Sequence, residues 1–109
     1  MPIVRKSLGQ SNPSAASLTD IYTVPASTTA VVTTITVANR SATPTSFRIS
    51  HAPAGAADTV AHYLYYDIAI DGNDTFQTTT AIPMATTDKL RVYATLATLS
   101  FNVHGEEIS

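Results

Sequence analysis

The chain has 109 residues, only 13% of them charged, and its six basic and eight acidic side chains give a net charge of −2. This length predicts a single domain, and the charge excludes the basic surface that nucleic-acid binding requires. Cysteine is absent, which excludes disulfides, thiolate metal sites and a cysteine nucleophile. Threonine (18 residues) and serine (10 residues) supply most of the polar side chains, so we expect a largely uncharged polar surface.

Residues 1–19 are predicted to form an extended N-terminal arm. An apolar and basic segment opens the arm, and a turn-forming stretch without periodicity follows it. A frayed terminus rarely carries three aliphatic side chains, so we expect the arm to contact neighbouring subunits. The predicted arm contacts are Ile3, Val4, Arg5, Lys6 and Leu8.

Residues 20–109 are predicted to form one β-sandwich domain. The clearest strand is 29–39, where β-branched residues line both faces, and alternation assigns Val31, Thr33, Ile35 and Val37 to one of them. Further strands are predicted at 20–24, 45–52, 60–70, 75–80, 89–94 and 97–103. We expect a possible helical turn at 56–61, a loop at 83–88, and pairing between the last two strands.

This succession of elements is typical of an all-β protein. About seven or eight short antiparallel strands, spaced by roughly 8–12 residues and without a long helix, predict a single β-sandwich. Two topologies stay open at this point, the jelly roll and the immunoglobulin-like sandwich.

The sequence contains little that indicates catalysis or metal binding. His51, His62 and His104 do not have the spacing of zinc ligands, and no serine lies in a Gly-x-Ser-x-Gly motif. The glycines are too far apart for a phosphate-binding loop. We therefore predict a non-enzymatic protein with no catalytic residue, no cofactor and no metal site.

The tyrosines are the candidate contact residues of the domain. Alternation places Tyr63 and Tyr65 on one face of their strand and Tyr66 on the other. Tyrosine buries an apolar ring while its hydroxyl stays hydrated, which favours it at interfaces. We predict that Tyr63, Tyr65 and Tyr93 contribute to an interface. The hydroxyl-rich surface around such a patch costs less to desolvate than a surface of lysine or glutamate.

The order and spacing of several segments, along nearly the whole chain, resemble a family of small tailed-bacteriophage virion proteins. These segments are Leu8–Pro13 (LGQSNP), Thr19–Ala26 (TDIYTVPA), Ile35–Ser41 (ITVANRS), Phe47–Ile49 (FRI), Tyr63–Asp67 (YLYYD) and Ser100–Ile108 (SFNVHGEEI). The resemblance implies a β-rich structural component of the virion without enzyme activity.

Within that family, our leading hypothesis is a capsid decoration (cement) protein that binds and stabilises the assembled capsid lattice. Its expected partners are the major capsid protein and copies of itself, with a trimer favoured. A tail or neck component and a carbohydrate-binding adsorption module are the alternatives. We expect a location on the capsid surface after synthesis in the host cytoplasm, because the sequence shows no signal-peptide apolar region and no apolar run of about 20 residues that would indicate a membrane segment.

Overall fold

The structure, a computed structural model, describes residues 2–109 and contains eight β-strands. They are β1 (Ile3–Ser11), β2 (Thr19–Thr23), β3 (Thr29–Asn39), β4 (Thr45–Ala52), β5 (Tyr63–Ile70), β6 (Thr75–Met84), β7 (Lys89–Ala94) and β8 (Leu99–Ile108). Two short 3-10 turns, Pro53–Gly55 and Val60–His62, lie between β4 and β5. The strands predicted at 29–39 and 45–52 are observed with those bounds. A 3-10 turn is observed at Val60–His62, displaced towards β5 from the helical turn expected at 56–61, so β5 begins later than predicted.

The strands form two four-stranded sheets that pack face to face. The first sheet has the order β1-β8-β3-β6 and the second the order β2-β7-β4-β5. All pairings described between these strands are antiparallel. The predicted β-sandwich is thereby confirmed. Its strand order is that of the eight-stranded jelly roll, and not that of the immunoglobulin-like alternative.

The core lies between the two sheets and is built around Phe47. Its ring centroid lies 5.1 Å from that of Phe76 and 6.0 Å from that of Phe101, in tilted and edge-to-face arrangements that favour aromatic pairs. The largest fully buried apolar side chains around it are Ile35, Ile49, Leu90, Leu99, Val24, Val32, Val37, Val92 and Val103. Each such side chain contributes about 1.5–3 kcal/mol by leaving water, and all of them except Val24 lie on β3, β4, β7 or β8.

A β-bulge at Thr33 changes the faces of β3 from those that alternation predicts. Val32 pairs with Gly105 and Thr34 with the adjacent His104, which leaves Thr33 as an extra residue opposite β8. Val32 is therefore buried on the same side as Ile35. The predicted grouping of Val31 and Thr33 with Ile35 and Val37 is wrong, because one inserted residue reverses the alternation.

The first strand corrects the predicted N-terminal arm. Residues 3–11 form β1, an edge strand of the first sheet that pairs with β8 from Ile3 opposite Ile108 to Ser11 opposite Phe101. Leu8 packs against the core. The predicted boundary between an arm and a domain at residue 19 is wrong for residues 3–11, because β8 supplies the partners of their backbone hydrogen bonds. Residues 12–18 cross to the second sheet, where Ala15 bridges Ala94. Met1, the first residue of the predicted arm, lies outside the described residues.

Two further expectations differ from the structure. The last two strands do not pair, because β7 lies between β2 and β4 in the second sheet whereas β8 lies between β1 and β3 in the first. The strand β6 extends through part of the predicted loop, to Met84. Pro83 is tolerated there because β6 is an edge strand, where a residue without an N–H breaks no ladder.

Candidate interaction surfaces

Beside the Arg5–Glu106 ion pair at one end, the outer face of the first sheet carries uncharged side chains across all four strands. Strand registers align them in three rows, which we call the neutral face. The rows are Ser7–His104–Thr34–Thr79, Gln10–Asn102–Thr36–Gln77 and Ser100–Ala38–Thr75. In the central row the side-chain amide of Gln10 donates a 2.8 Å hydrogen bond to Asn102 Oδ1, which orders the two amides. None of these positions is an aspartate, glutamate, lysine or arginine, so these three rows can be covered without desolvating a carboxylate, ammonium or guanidinium group.

The outer face of the second sheet carries an aromatic and arginine cluster. The Arg48 guanidinium lies 4.2 Å from the ring centroid of Tyr66 and 4.5 Å from that of Tyr93, at cation–π distance from both rings. The Tyr66 ring also meets Tyr63 edge to face, with centroids 5.0 Å apart. Such a stack holds three side chains in place on the surface and makes them a preorganised contact site.

The charged groups of this cluster are paired. Arg48 donates to both carboxylate oxygens of Asp67, with Nε–Oδ1 at 2.6 Å and Nη2–Oδ2 at 3.3 Å, and these hydrogen bonds raise the pKa of Arg48. The Tyr63 hydroxyl donates to Asp58 at 3.0 Å. Partial burial and that hydrogen bond raise the pKa of Tyr63 above its ordinary value. Arg48 and Tyr63 are therefore each held in place by a carboxylate group.

The predicted tyrosine interface is only partly assembled. Tyr63 and Tyr93 both reach Arg48 or its neighbours on the outer face, whereas Tyr65 packs inward, 5.9 Å from the Phe76 ring. Tyr65 pairs with Ile49 and Tyr63 with Ser50, so the extra residue Leu64 puts Tyr63 and Tyr65 on opposite faces. A second register shift opposite Arg48, with Asp67 at φ = 50°, allows Ile68 to pack towards the core while Tyr66 points outward in the place expected for Tyr65. Sequence alternation missed both Tyr66 and Arg48. The one local signal was an aspartate within a strand pattern, because aspartate tolerates positive φ better than most residues.

The predicted arm contacts lie along β1. Ile3, Val4, Arg5 and Lys6 are exposed, and Leu8 is half-buried against the core. Arg5 faces Glu106 at 3.7 Å and Lys6 faces Glu107 at 3.3 Å. Four of the five predicted contact residues are thus accessible to a partner, whereas Leu8 serves the fold.

The three histidines do not come together. His51 Nε2 lies 2.8 Å from Asp88 Oδ2, a carboxylate that also accepts the backbone N–H groups of Ala54 and Ala85. This arrangement joins the 3-10 turn at Pro53–Gly55 to the β6–β7 loop. Within residues 2–109 no group of three or more potential metal ligands is found.

No helix among the described residues is long and apolar enough to cross a membrane. A scan against protein-family models, a search of curated proteins and a search of solved structures each returned no match.

Proposed function

We propose that this chain is a non-enzymatic structural protein of a tailed-bacteriophage virion, and specifically a capsid decoration protein. The proposal combines the family resemblance of the sequence with the surfaces described above. The jelly roll is an architecture that occurs in viral capsid proteins and in lectins, and this analogy of fold is a secondary support because one fold hosts many functions.

The observation that carries the proposal is the neutral face. Its central row, Gln10–Asn102–Thr36–Gln77, crosses all four strands of the first sheet without a charged side chain. The cores of protein interfaces are depleted in charged residues, because covering a lysine or a glutamate costs desolvation and about 1.5–2 kcal/mol of side-chain entropy. A hydroxyl and amide surface of this kind is suited to lie against a protein lattice, with the major capsid protein as the partner.

The proposed mechanism is mass action. A protein that binds the assembled lattice and not its free subunits lowers the free energy of the assembled state by RT ln(1 + [L]/Kd), about 2.7 kcal/mol per site at a hundredfold excess over Kd. Many such sites would stabilise the capsid against heat and internal pressure. The chain needs no bond-making chemistry for this role.

The first test is the copy number of this protein in purified particles. We expect hundreds of copies, in a simple ratio to the major capsid protein. A few dozen copies or fewer would instead support the tail or neck alternative. A glycan array tests the carbohydrate-binding alternative, and selective binding of one glycan class would overturn the proposal in its favour.

The second test places a charge on the neutral face. Thr36→Lys should weaken binding to particles at least about tenfold, since about 1.4 kcal/mol corresponds to a factor of ten. Thr43→Lys is the matched control, because Thr43 is exposed in the β3–β4 loop and receives the same charge away from this face. Equal occupancy of particles by both variants would contradict the assignment of the neutral face.

A further inference from the structure

Among residues 2–109, large exposed hydrophobic side chains occur in two places. Ile3 and Val4 lie on β1, whereas Val60, Leu64 and Tyr66 lie on β5 and the turn before it. Val60 is 87% exposed, and with Tyr63 and Tyr66 it lines an open cavity of about 390 Å³. Aliphatic side chains grouped on a surface in this way indicate a contact site.

The two groups lie on opposite sides of the sandwich. The strand β1 is an edge of the first sheet and contacts β2, an edge of the second. The strand β5 is the other edge of the second sheet, and its Tyr65 meets Phe76 of the edge strand β6. Each group therefore lies on an edge strand with one unpaired side, which proteins usually cover or protect.

The exposed charges of the two sides are complementary. On the β1 side the cations are outermost, since the Arg5 side chain is 85% exposed and its partner Glu106 only 29%. On the β5 side the carboxylate is outermost, since Asp67 is 47% exposed and Arg48 only 24%. Asp58 adds a second exposed carboxylate beside Tyr63.

We propose that the β1 patch (Ile3, Val4, Arg5 and Lys6) of one copy of this chain binds the β5 patch (Asp58, Val60, Leu64, Tyr66 and Asp67) of the next copy. A contact between two different surfaces is head-to-tail, and it closes into a ring when the rotation per copy permits. Contact of the β1 patch with its own copy would instead bring Arg5 and Lys6 against the same cations. Contact of two β5 patches would juxtapose carboxylates, so like-charge repulsion opposes both symmetric dimers.

This inference does not depend on the proposed function, because it concerns the purified protein alone. Sedimentation velocity and light scattering should give an oligomer whose mass is a whole multiple of the monomer and whose dissociation increases with ionic strength. The variants Ile3→Asn/Val4→Asn and Val60→Asn/Leu64→Asn should each raise the dissociation constant about a hundredfold. Both pairs of positions are exposed in the monomer, so the melting temperature of the monomer should hardly change.

Mixing the two variants distinguishes a head-to-tail contact from a symmetric one. Each variant alone should be monomeric. In an equal mixture, the intact β5 patch of one variant can bind the intact β1 patch of the other, so heterodimers should form and grow no further. A wild-type protein that stays monomeric, a variant that still assembles, or a mixture without heterodimers would overturn the proposal. If either asparagine variant misfolds, the single variants Val4→Ser and Val60→Ser provide the same comparison.

Discussion

The hydroxyl of Tyr22 donates a 2.6 Å hydrogen bond to the carboxylate of Glu107, and this bond joins the two sheets of the sandwich. Tyr22 lies on β2 of the second sheet, and Glu107 lies on β8 of the first. The hydrogen bond lowers the pKa of Glu107. Burial, together with the adjacent carboxylate, raises the pKa of Tyr22 well above its usual range. The same carboxylate also accepts a 3.3 Å hydrogen bond from Lys6 Nζ on β1. The Glu107 side chain therefore links β8 to both β1 and β2.

Replacing Tyr22 by phenylalanine tests this link. Hydrogen bonds to charged groups contribute about 1.5–3 kcal/mol, so we expect Tyr22→Phe to lower the free energy of unfolding by about 2 kcal/mol in chemical denaturation. Tyr65→Phe is the matched control, because the Tyr65 hydroxyl makes no hydrogen bond within the described residues. Equal stability of the two variants would show that the Tyr22 hydroxyl does not stabilise the fold.

Stability should decrease in acid because three carboxylates have lowered pKa values in the fold. For Asp20 the hydrogen bond from Lys89 is the main cause, and for Glu107 it is the one from Tyr22. Burial raises the pKa of Asp88, but the hydrogen bonds from Ala54, His51 and Ala85 lower that pKa by more.

A lowered pKa means that the unfolded chain binds protons more readily than the native protein, so stability is complete above the unfolded pKa values and is lost as pH falls. Those ordinary values are 4.5 for glutamate and 3.8 for aspartate. We therefore expect the free energy of unfolding to fall progressively below pH 4.5. Asp88→Asn should reduce the loss of unfolding free energy on acidification, whereas Ser100→Ala should leave this loss unchanged. Wild-type stability that is constant or rises on acidification would contradict the prediction.

Gly105 is required by the packing of β8 against the bulge of β3. A Cβ atom at this position would overlap the carbonyl oxygen of Val31 and approach Leu8 Cδ1 to 2.9 Å. Neither group can move freely, since one is backbone and the other packs on the core. We expect Gly105→Ala to cost about 2–3 kcal/mol of stability in thermal or chemical unfolding. Ser100→Ala on the same strand should change stability by less than about 0.5 kcal/mol.

The stacked guanidinium of Arg48 should not be replaceable by an ammonium group. Lysine keeps the charge but loses the two-point bond to Asp67 and the planar contact with Tyr66 and Tyr93. We expect Arg48→Lys to lower stability by about 1 kcal/mol, since the pair is partly exposed and partly screened. Urea denaturation measures this change. Arg5→Lys is the control, because the Arg5 side chain is 85% exposed and lies 3.7 Å from Glu106, and an equal effect in both variants would argue against the stack.

Local alternation predicted those parts of the fold in which each strand keeps one unbroken pattern. Residues 45–52 follow period two, with Phe47 and Ile49 buried, and their strand was predicted with its observed bounds. The bulges at Thr33 and beside Asp67 could not be predicted in this way. Each is stabilised by contacts with a distant strand, and each moves the following side chains to the other face.

The candidate surfaces were likewise predictable only where they depend on local sequence. Ile3, Val4, Arg5 and Lys6 were predicted as contact residues from their composition alone, and they are exposed. Their strand was not predicted, because an edge strand exposed on both faces has no hydrophobic alternation. The neutral face depends on registers between strands that are far apart in sequence.

Because β-branched alternation and composition are local properties of the chain, they were sufficient to predict an all-β sandwich with a largely uncharged polar surface. Long-range pairing established that residues 3–11 complete a sheet, that β7 and β8 belong to different sheets, and that Tyr66 replaces Tyr65 beside Arg48. These outcomes depend on which distant strands pair and in which register. Hydrogen bonding and burial across the whole sandwich set that choice.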